Sequence, residues 1–547
     1  KIEKRTQKGG RGFMKRVLAC ILAGTMIMSA SGCKNKENNK TADVSALSLM
    51  EQVNGKNILH PDPVSRLWYT IDPLTFSDSE SDGIGDLQGI INQIQNLSDG
   101  DEATKQKDLN VNGIYIQNLL KKDGNNRIID FMSINPAIGT DEVLKKLTEQ
   151  ASQDQMAIMI GLDLAAVSKE NEDFQRLIQA ANALQPDQSI PDLPQDAAGL
   201  FNLNEEKLSD SWLPLGSSKL FYQAYEGTDA PTLNEDNENM RQLVLKVIDH
   251  YIGLGVSGFY LHNVNDFYEG EPQKNVDFVN WLYDEIKDRK SDATVVASAD
   301  PYEEPMQQLK ASLAIPGYSG AEGYIVKAVT GTMNAKELGE ALKHQEQKAS
   351  NQAVFLNSDS YTLDLLKTEN RLPQLKMALA LHLLMSGQVF ISAGDEIGLQ
   401  KDAVDFVTDG FYKPISKNGK TEDKSGNAVN LVFGSMEEQN KNGDSILNFV
   451  RQAIRLRDSF IAVSSGTMNI LDGLTTEDVL AVQKDAGDSN VVLVFNLSDQ
   501  EQKVNLDGVE IKGLPCELGG LLLTDAGEMK LENNELYMPP YSAAVLK

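Results

Sequence analysis

An α/β protein, a (β/α)8 TIM barrel followed by a β-rich terminal domain, is the fold the sequence predicts. Three observations carry it. Met240, Leu243, Val244, Val247, Ile248, Tyr251 and Ile252 recur at spacings of three and four, which is one apolar helical face. The run that follows, Gly255 to His262 (GVSGFYLH), is a short buried strand that leaves through polar residues. A helix feeding such a strand is the repeating unit of an α/β barrel, whose chemistry sits at the C-terminal ends of the strands. Beyond residue 460 the pattern changes to short β-rich runs, VLAVQ and VVLVFNL, and ends in PPYSAAVLK.

Composition sets the outer limits. The 547 residues suffice for a barrel and an appended domain. Lys plus Arg is 51 against 79 Asp plus Glu, and the net charge of −28 argues against nucleic acid or an anionic membrane surface as partner. Of the cysteines, Cys20 lies inside an apolar segment, Cys33 ends it and Cys516 stands alone, so no disulfide framework is expected.

Met14, Lys15 and Arg16 precede the apolar run VLACILAGTMIM, which small residues lead into Cys33, so residues 1–33 read as a secretion signal. Residues 1–13 are expected to lie upstream of the true start, and the apolar run is too short to span a bilayer comfortably. The boundary cysteine resembles the bacterial lipoprotein signal, with Ala30 where that signal usually has leucine. This implies a lipid on Cys33 and an extracytoplasmic protein held at the bacterial cell membrane through that anchor alone. Residues 34–62, opening KNKENNKTADVS, read as a polar tether.

The barrel is expected over residues 63–460, starting with a strand at Leu67–Ile71. The loop after it reads DSESDGIGDLQGI. Asp78, Glu80 and Asp82 at alternate positions, a sharp turn at Gly83, the Ile84 carbonyl and Asp86 repeat the first part of a calcium-binding EF-hand loop, so structural Ca²⁺ is expected on these five. Carboxylates so crowded repel one another without a cation. The loop also resembles the DxNxDGIGDLxGI metal loop of the oligo-1,6-glucosidase branch of the α-amylase family of glycoside hydrolases. A second strand is expected at Val111–Gln117, before NNRIIDFMSINPAIGT, which resembles the family's GYDVxDYxxIxPxFGT. Asp130 and Pro136 match that motif, while Arg127 stands where the family's sugar-gripping aspartate would be. The third strand, Ala157–Leu164, leads into DLAAVS, resembling DxVxNH. Asp163 is kept there, and Val167 and Ser168 replace the last two residues.

Residues from 169 to about 230 are an Asn-, Gln-, Asp- and Pro-rich excursion without clear periodicity, placed where the family inserts its small B domain. PTLNEDNENMRQL resembles the family's PDLNxxNPxVR, with Thr232 for its aspartate, and Asn234 or Asp236 is expected to cap the following helix. GVSGFYLH resembles the fourth family strand, GVDGFRxD, with Tyr260 for its arginine and His262 for its nucleophilic aspartate. The fifth strand, Thr294–Ser298, puts Ser298 where the family has its general acid. The seventh, Val354–Asn357, gives FLNSDS for FLxNHD, keeping Asp359 and placing Ser358 at the histidine. The eighth, Val389–Ala393, ends in GDEIGL, similar to the scaffold motif GxEIGM. An amphipathic helix at 446–457 closes the barrel, and residues 461–547 resemble the family's C-terminal antiparallel β-sandwich.

The resemblance runs from Leu67 to Lys547, but it implies a damaged catalytic set. A retaining glycosidase needs two carboxyl groups about 5 to 5.5 Å apart, and neither matching position has one. Asp266, Asp300, Glu303 and Glu304 are neighbours in sequence; at about 3.3 Å per extended residue even the nearest lies roughly 6 to 7 Å along the chain. The expected pocket comprises Arg127, Asp130, Asp163, His262 and Asp359, with His262 a hydrogen-bonded pocket histidine. The leading expectation is a non-hydrolytic barrel that binds an α-glucan, another oligosaccharide or a protein partner. An active retaining α-glucosidase or α-amylase using other residues is the first alternative, and a purely structural surface protein the second.

Overall fold

Eight short apolar runs pair side by side, all parallel, and close on themselves. The structure is a computed structural model that describes residues 46–54, 65–80, 82, 84–100, 107–315, 317–349, 351–357, 362–366, 371–400, 421–422, 428–429, 431–525 and 527–547. The signal segment, Cys33, Ser358 and Asp359 lie outside those residues. The barrel strands are β1 (Leu67–Ile71), β2 (Gly113–Ile116), β3 (Ala157–Asp163), β4 (Gly258–His262), β5 (Thr294–Ala297), β6 (Ser312–Ala314), β7 (Gln352–Phe355) and β8 (Gln388–Ser392). Their order around the closed sheet is β1-β8-β7-β6-β5-β4-β3-β2.

Period-two alternation decides what each strand shows to either side. Leu67, Tyr69, Ile71, Ile114, Ile116, Phe259 and Leu261 join the large core shared with the surrounding helices. Their neighbours Trp68, Tyr115, Met159, Tyr260, Val296 and Phe390 form a separate cluster inside the barrel. Aromatic rings fill that interior. Phe355 stacks on Phe390 at 4.2 Å between centroids, Tyr115 on Tyr260 at 5.2 Å, and Trp68 lies parallel to Phe390 at 6.0 Å. The Trp68 indole N–H donates to Gln388 Oε1 at 2.5 Å, so its polar edge is satisfied in the dry interior. Only glycine fits opposite it at 113, because a Cβ there would stand 2.4 Å from Trp68 Cε3.

The helix leading to β4 spans Glu238–Gly253 and buries Met240, Val244, Val247, Ile248 and Tyr251. Its cap is Asn237, whose side chain accepts from Asn239 N, rather than Asn234 or Asp236. The excursion after β3 contains a helix, Glu172–Asn182, and a three-stranded antiparallel sheet built from Leu203–Asn204, Phe221–Gln223 and Trp212–Pro214. The excursion is thus more regular than expected, with Phe174, Leu177 and Ala181 recurring at three and four to give that helix one buried face. The tether expectation also needs correction. Residues Ala46–Asn54 are helical, and Val53 is only 1% exposed, because Leu49 and Val53 are one turn apart and both pack inward.

After the closing helix, Ile446–Ser459, the chain forms a five-stranded and a three-stranded antiparallel sheet. Val492, Val494, Leu521 and Ala544 of the larger sheet share a core with Val504, Leu536 and Met538 of the smaller. Two buried cations tie the domains at the end of helix Arg371–Leu383. The Arg457 guanidinium donates to the carbonyls of Leu383 (3.0 Å), Gly387 (2.9 Å), Ser65 (3.1 Å) and Met385. From the C-terminal domain, Lys484 Nζ donates to the carbonyls of Leu384 and Val463, both at 2.9 Å, and to Ser386 Oγ at 2.8 Å. A helix leaves its last carbonyls without intrahelical partners, and these cations supply donors there.

Candidate functional site

A cavity of about 1150 Å³ opens at the C-terminal ends of the strands. Thr70, Tyr115, Asp163, Tyr260, His262, Ser298, Ala314, Asn357 and Ser392 bring every strand, or the residues just after it, to its wall. Ligand sites of α/β barrels are built at this face.

His262 stands at the centre of the wall. In register β4 sets it beside Asp163 of β3 and sets Tyr260 beside Gly161. Gly161 makes its place, since a Cβ there would come within 2.7 Å of His262 Nε2 and 3.0 Å of the Tyr115 hydroxyl. Those two groups share one hydrogen bond of 3.0 Å. Burial, reinforced by the Lys122 charge, lowers the His262 pKa to about 4, and burial holds Tyr115 well above its usual value. The pair is therefore a neutral imidazole against a neutral phenol. Tyr260, stacked on Tyr115, is likewise kept protonated by burial, with Ser298 as its polar neighbour.

The carboxylates at the mouth each hold a donor of the chain. Asp163 accepts from Ala165 N at 3.1 Å and Asn263 Nδ2 at 2.8 Å, and Arg127 pairs with it at 3.5 Å. Burial nonetheless raises its pKa. Arg127 lies 4.1 Å over the Tyr225 ring, and the Tyr225 hydroxyl donates to Asp266, so the inserted segment is fastened to β3 and to the loop after β4. Asp300 Oδ1 accepts from Tyr302 N at 2.9 Å, and Glu303 accepts from the Asn265 amide. Lys122 donates to Asn118 Oδ1 at 3.0 Å and Asn126 Oδ1 at 3.1 Å, and burial lowers its pKa.

Two expectations change. Neither Arg127 nor Asp130 is on the cavity wall: Arg127 is taken up by Asp163 and the Tyr225 ring, and Asp130 sits in a hairpin opposite Lys121, where its oxygens accept from Met132 N at 2.8 Å and Ser133 Oγ at 2.5 Å. In the loop expected to hold calcium, the aspartates are engaged by the chain itself. Asp86 has become the N-cap of helix Leu87–Leu97, with Oδ1 accepting from Gly89 N and Oδ2 from the Ser79 N–H and hydroxyl. Asp78 and Asp82 accept from the backbone two residues on, at Glu80 N and Ile84 N. Among the described residues no group of three or more His, Cys, Asp or Glu side chains is arranged to hold a metal. Replacing Asp86 with alanine is expected to lower stability by about 1 kcal/mol through the lost cap. Equal denaturation midpoints for the variant and the parent would refute this.

Several wall residues were absent from the sequence reading. Tyr115 was findable, since it lies on the inward phase of β2, two residues after Gly113. Lys122, and Tyr225 which reaches the wall only through Asp266, come from segments that carry no periodic signal.

The depressed His262 pKa has a pH signature. The unfolded imidazole titrates near 6.5, so below that pH the unfolded chain binds the extra proton and the folded state loses stability until about pH 4. Relative to His262→Gln, the parent is expected to lose about 1.4 kcal/mol per pH unit across that window. Parallel stability–pH curves for the two proteins would refute it.

Residues 70–299 match the family model described as alpha amylase, catalytic domain. Alpha-amylase 3 of Dictyoglomus thermophilum is 23% identical over 524 residues, covering 92% of this chain and 96% of that protein. The glucan 1,6-alpha-glucosidase of Streptococcus pneumoniae is 22% identical over 510 residues, 80% of this chain and 92% of that protein. Among solved structures, Eubacterium rectale Amy13B superposes with a TM-score of 0.79 at 23% identity, over 92% of this chain and 99% of that one. At that identity the superposition speaks to fold alone.

Proposed function

This chain carries the catalytic-domain barrel of the α-amylase family, and on that premise we propose that it is a non-hydrolytic member whose barrel mouth binds an α-linked oligosaccharide. The His262–Tyr115 pair carries the reading. Covalent glycoside cleavage requires a carboxylate nucleophile and a carboxylic acid on either side of the bond. In this cavity the end of β4 presents a neutral imidazole, the end of β5 presents Ser298, and Asp163 and Asp266 are engaged by Arg127, Asn263 and Tyr225. A wall that carries Gln117, Asn126, Ser298 and Ser319 suits a hydroxyl-rich ligand better than an apolar one.

Calorimetric titration with maltose, maltoheptaose and isomaltose tests the proposal directly. Saturable binding without product formation supports it. Absence of binding to all three by protein that melts normally would refute the glycan reading and favour a protein partner. An active retaining α-glucosidase or α-amylase is the second reading, favoured by the activities for which the relatives are named and by Asp300 on the wall.

The proposal includes secretion and a lipid on Cys33, which mass measurement of the mature N-terminus tests: an unmodified terminus elsewhere would reject the anchor. It also includes structural Ca²⁺ at the 78–86 loop, in an arrangement in which Asp86 gives up its cap. Ca²⁺ binding only the folded state adds about 2.7 kcal/mol at a hundred times its dissociation constant. Identical melting in Ca²⁺ and in chelator would remove it.

A further inference from the structure

We propose that Tyr302 and Asp300, in the loop after β5, form a stacking subsite for one pyranose ring at the rim of the cavity. The inference rests on the oligosaccharide reading and names where one sugar would be held. Tyr302 is a large ring left 36% exposed, and it lines the cavity wall. A lone exposed tyrosine is ordinary; this one is fixed from three directions. Its ring lies on the His344 imidazole, 5.3 Å between centroids and 10° from parallel. Its hydroxyl is bonded to that of Tyr324 at 3.0 Å, and its backbone N–H donates to Asp300 Oδ1 at 2.9 Å.

Each contact narrows the chemistry. His344 lies against one side of the ring, and the proposal places the sugar on the other. A π face carries partial negative charge and accepts the weakly positive C–H face of a pyranose. Asp300, also on the wall and held beside the ring through Tyr302 N, supplies an acceptor for the hydroxyls at the sugar's edge. Because the ring is already immobilised, little side-chain freedom is lost on binding.

The test is calorimetric titration of the full chain with maltoheptaose. Tyr302→Ala is expected to weaken binding at least tenfold, and Tyr302→Phe, which keeps the face and loses the hydroxyl, to stay within about threefold of the parent. Parent-like affinity in Tyr302→Ala would overturn the subsite while leaving the oligosaccharide reading intact. Equal losses in the Ala and Phe variants would overturn it too, by assigning the effect to the hydroxyl. No binding by the parent would overturn the oligosaccharide reading and the subsite with it. If Tyr302→Ala fails to fold, Tyr302→Trp decides: its added fluorescence should change on saturation with maltoheptaose, and unchanged emission during binding would overturn the subsite.

Discussion

Nitrophenyl α-glucoside, maltose, isomaltose and starch are expected to remain uncleaved by the purified protein in the presence of Ca²⁺. General acid assistance alone contributes about 10² to 10⁴ in rate, and the double displacement of a retaining glycosidase uses a carboxylate nucleophile, which His262 does not supply. Repair by a single change is also expected to fail. In His262→Asp the new carboxyl would sit among Tyr115, Tyr260 and Gly161 without a cation at position 260, and burial would raise its pKa. Misplacement of about 1 Å can cost around a hundredfold, so Asp300 and Glu303, already holding Tyr302 N and Asn265, are poor substitutes. Turnover above background that disappears in Asp300→Asn or Glu303→Gln would reverse the proposal and establish the hydrolase reading.

The largest stability effect is expected at Arg457. Its side chain is 1% exposed and donates to four backbone carbonyls, so Arg457→Ala strands those acceptors and opens a large hole at once. A buried acceptor left without a donor costs about 1 to 3 kcal/mol. Removing the buried cation recovers part of this, which leaves a net loss of about 4 kcal/mol. Neighbouring Asp458, whose pKa burial already pushes up to about 7, would lose its principal countercharge. Thermal and denaturant melts of parent and variant decide the matter: midpoints that coincide would refute the role.

What could be read from the sequence followed from periodicity and turn chemistry. β1 lies where its run of five apolar and β-branched residues placed it; β3, β5 and β8 fall within one residue of expectation, β2 and β7 within two, and β4 starts three residues later than expected, at Gly258. β6 went unassigned because Ser312–Ala314 is three residues long, too short to show alternation. The helix at 46–54 was read as tether because the polar run ahead of it dominated the composition. In the site, His262, Tyr260, Ser298 and Asp163 were legible because they sit at strand ends or in motif-like segments, whereas Arg127 meets the wall only through its pairing with Asp163. Asp130 was misplaced for a local reason: Ser133 and the Met132 amide satisfy its oxygens inside its own hairpin. The bond from Tyr225 to Asp266 joins residues 41 apart in sequence, and no local pattern encodes such a meeting.

The aromatic packing of Trp68, Tyr115, Tyr260, Phe355 and Phe390 makes the cavity a blind alley. Any ligand therefore enters and leaves by the same mouth, and nothing passes through the barrel to its far side.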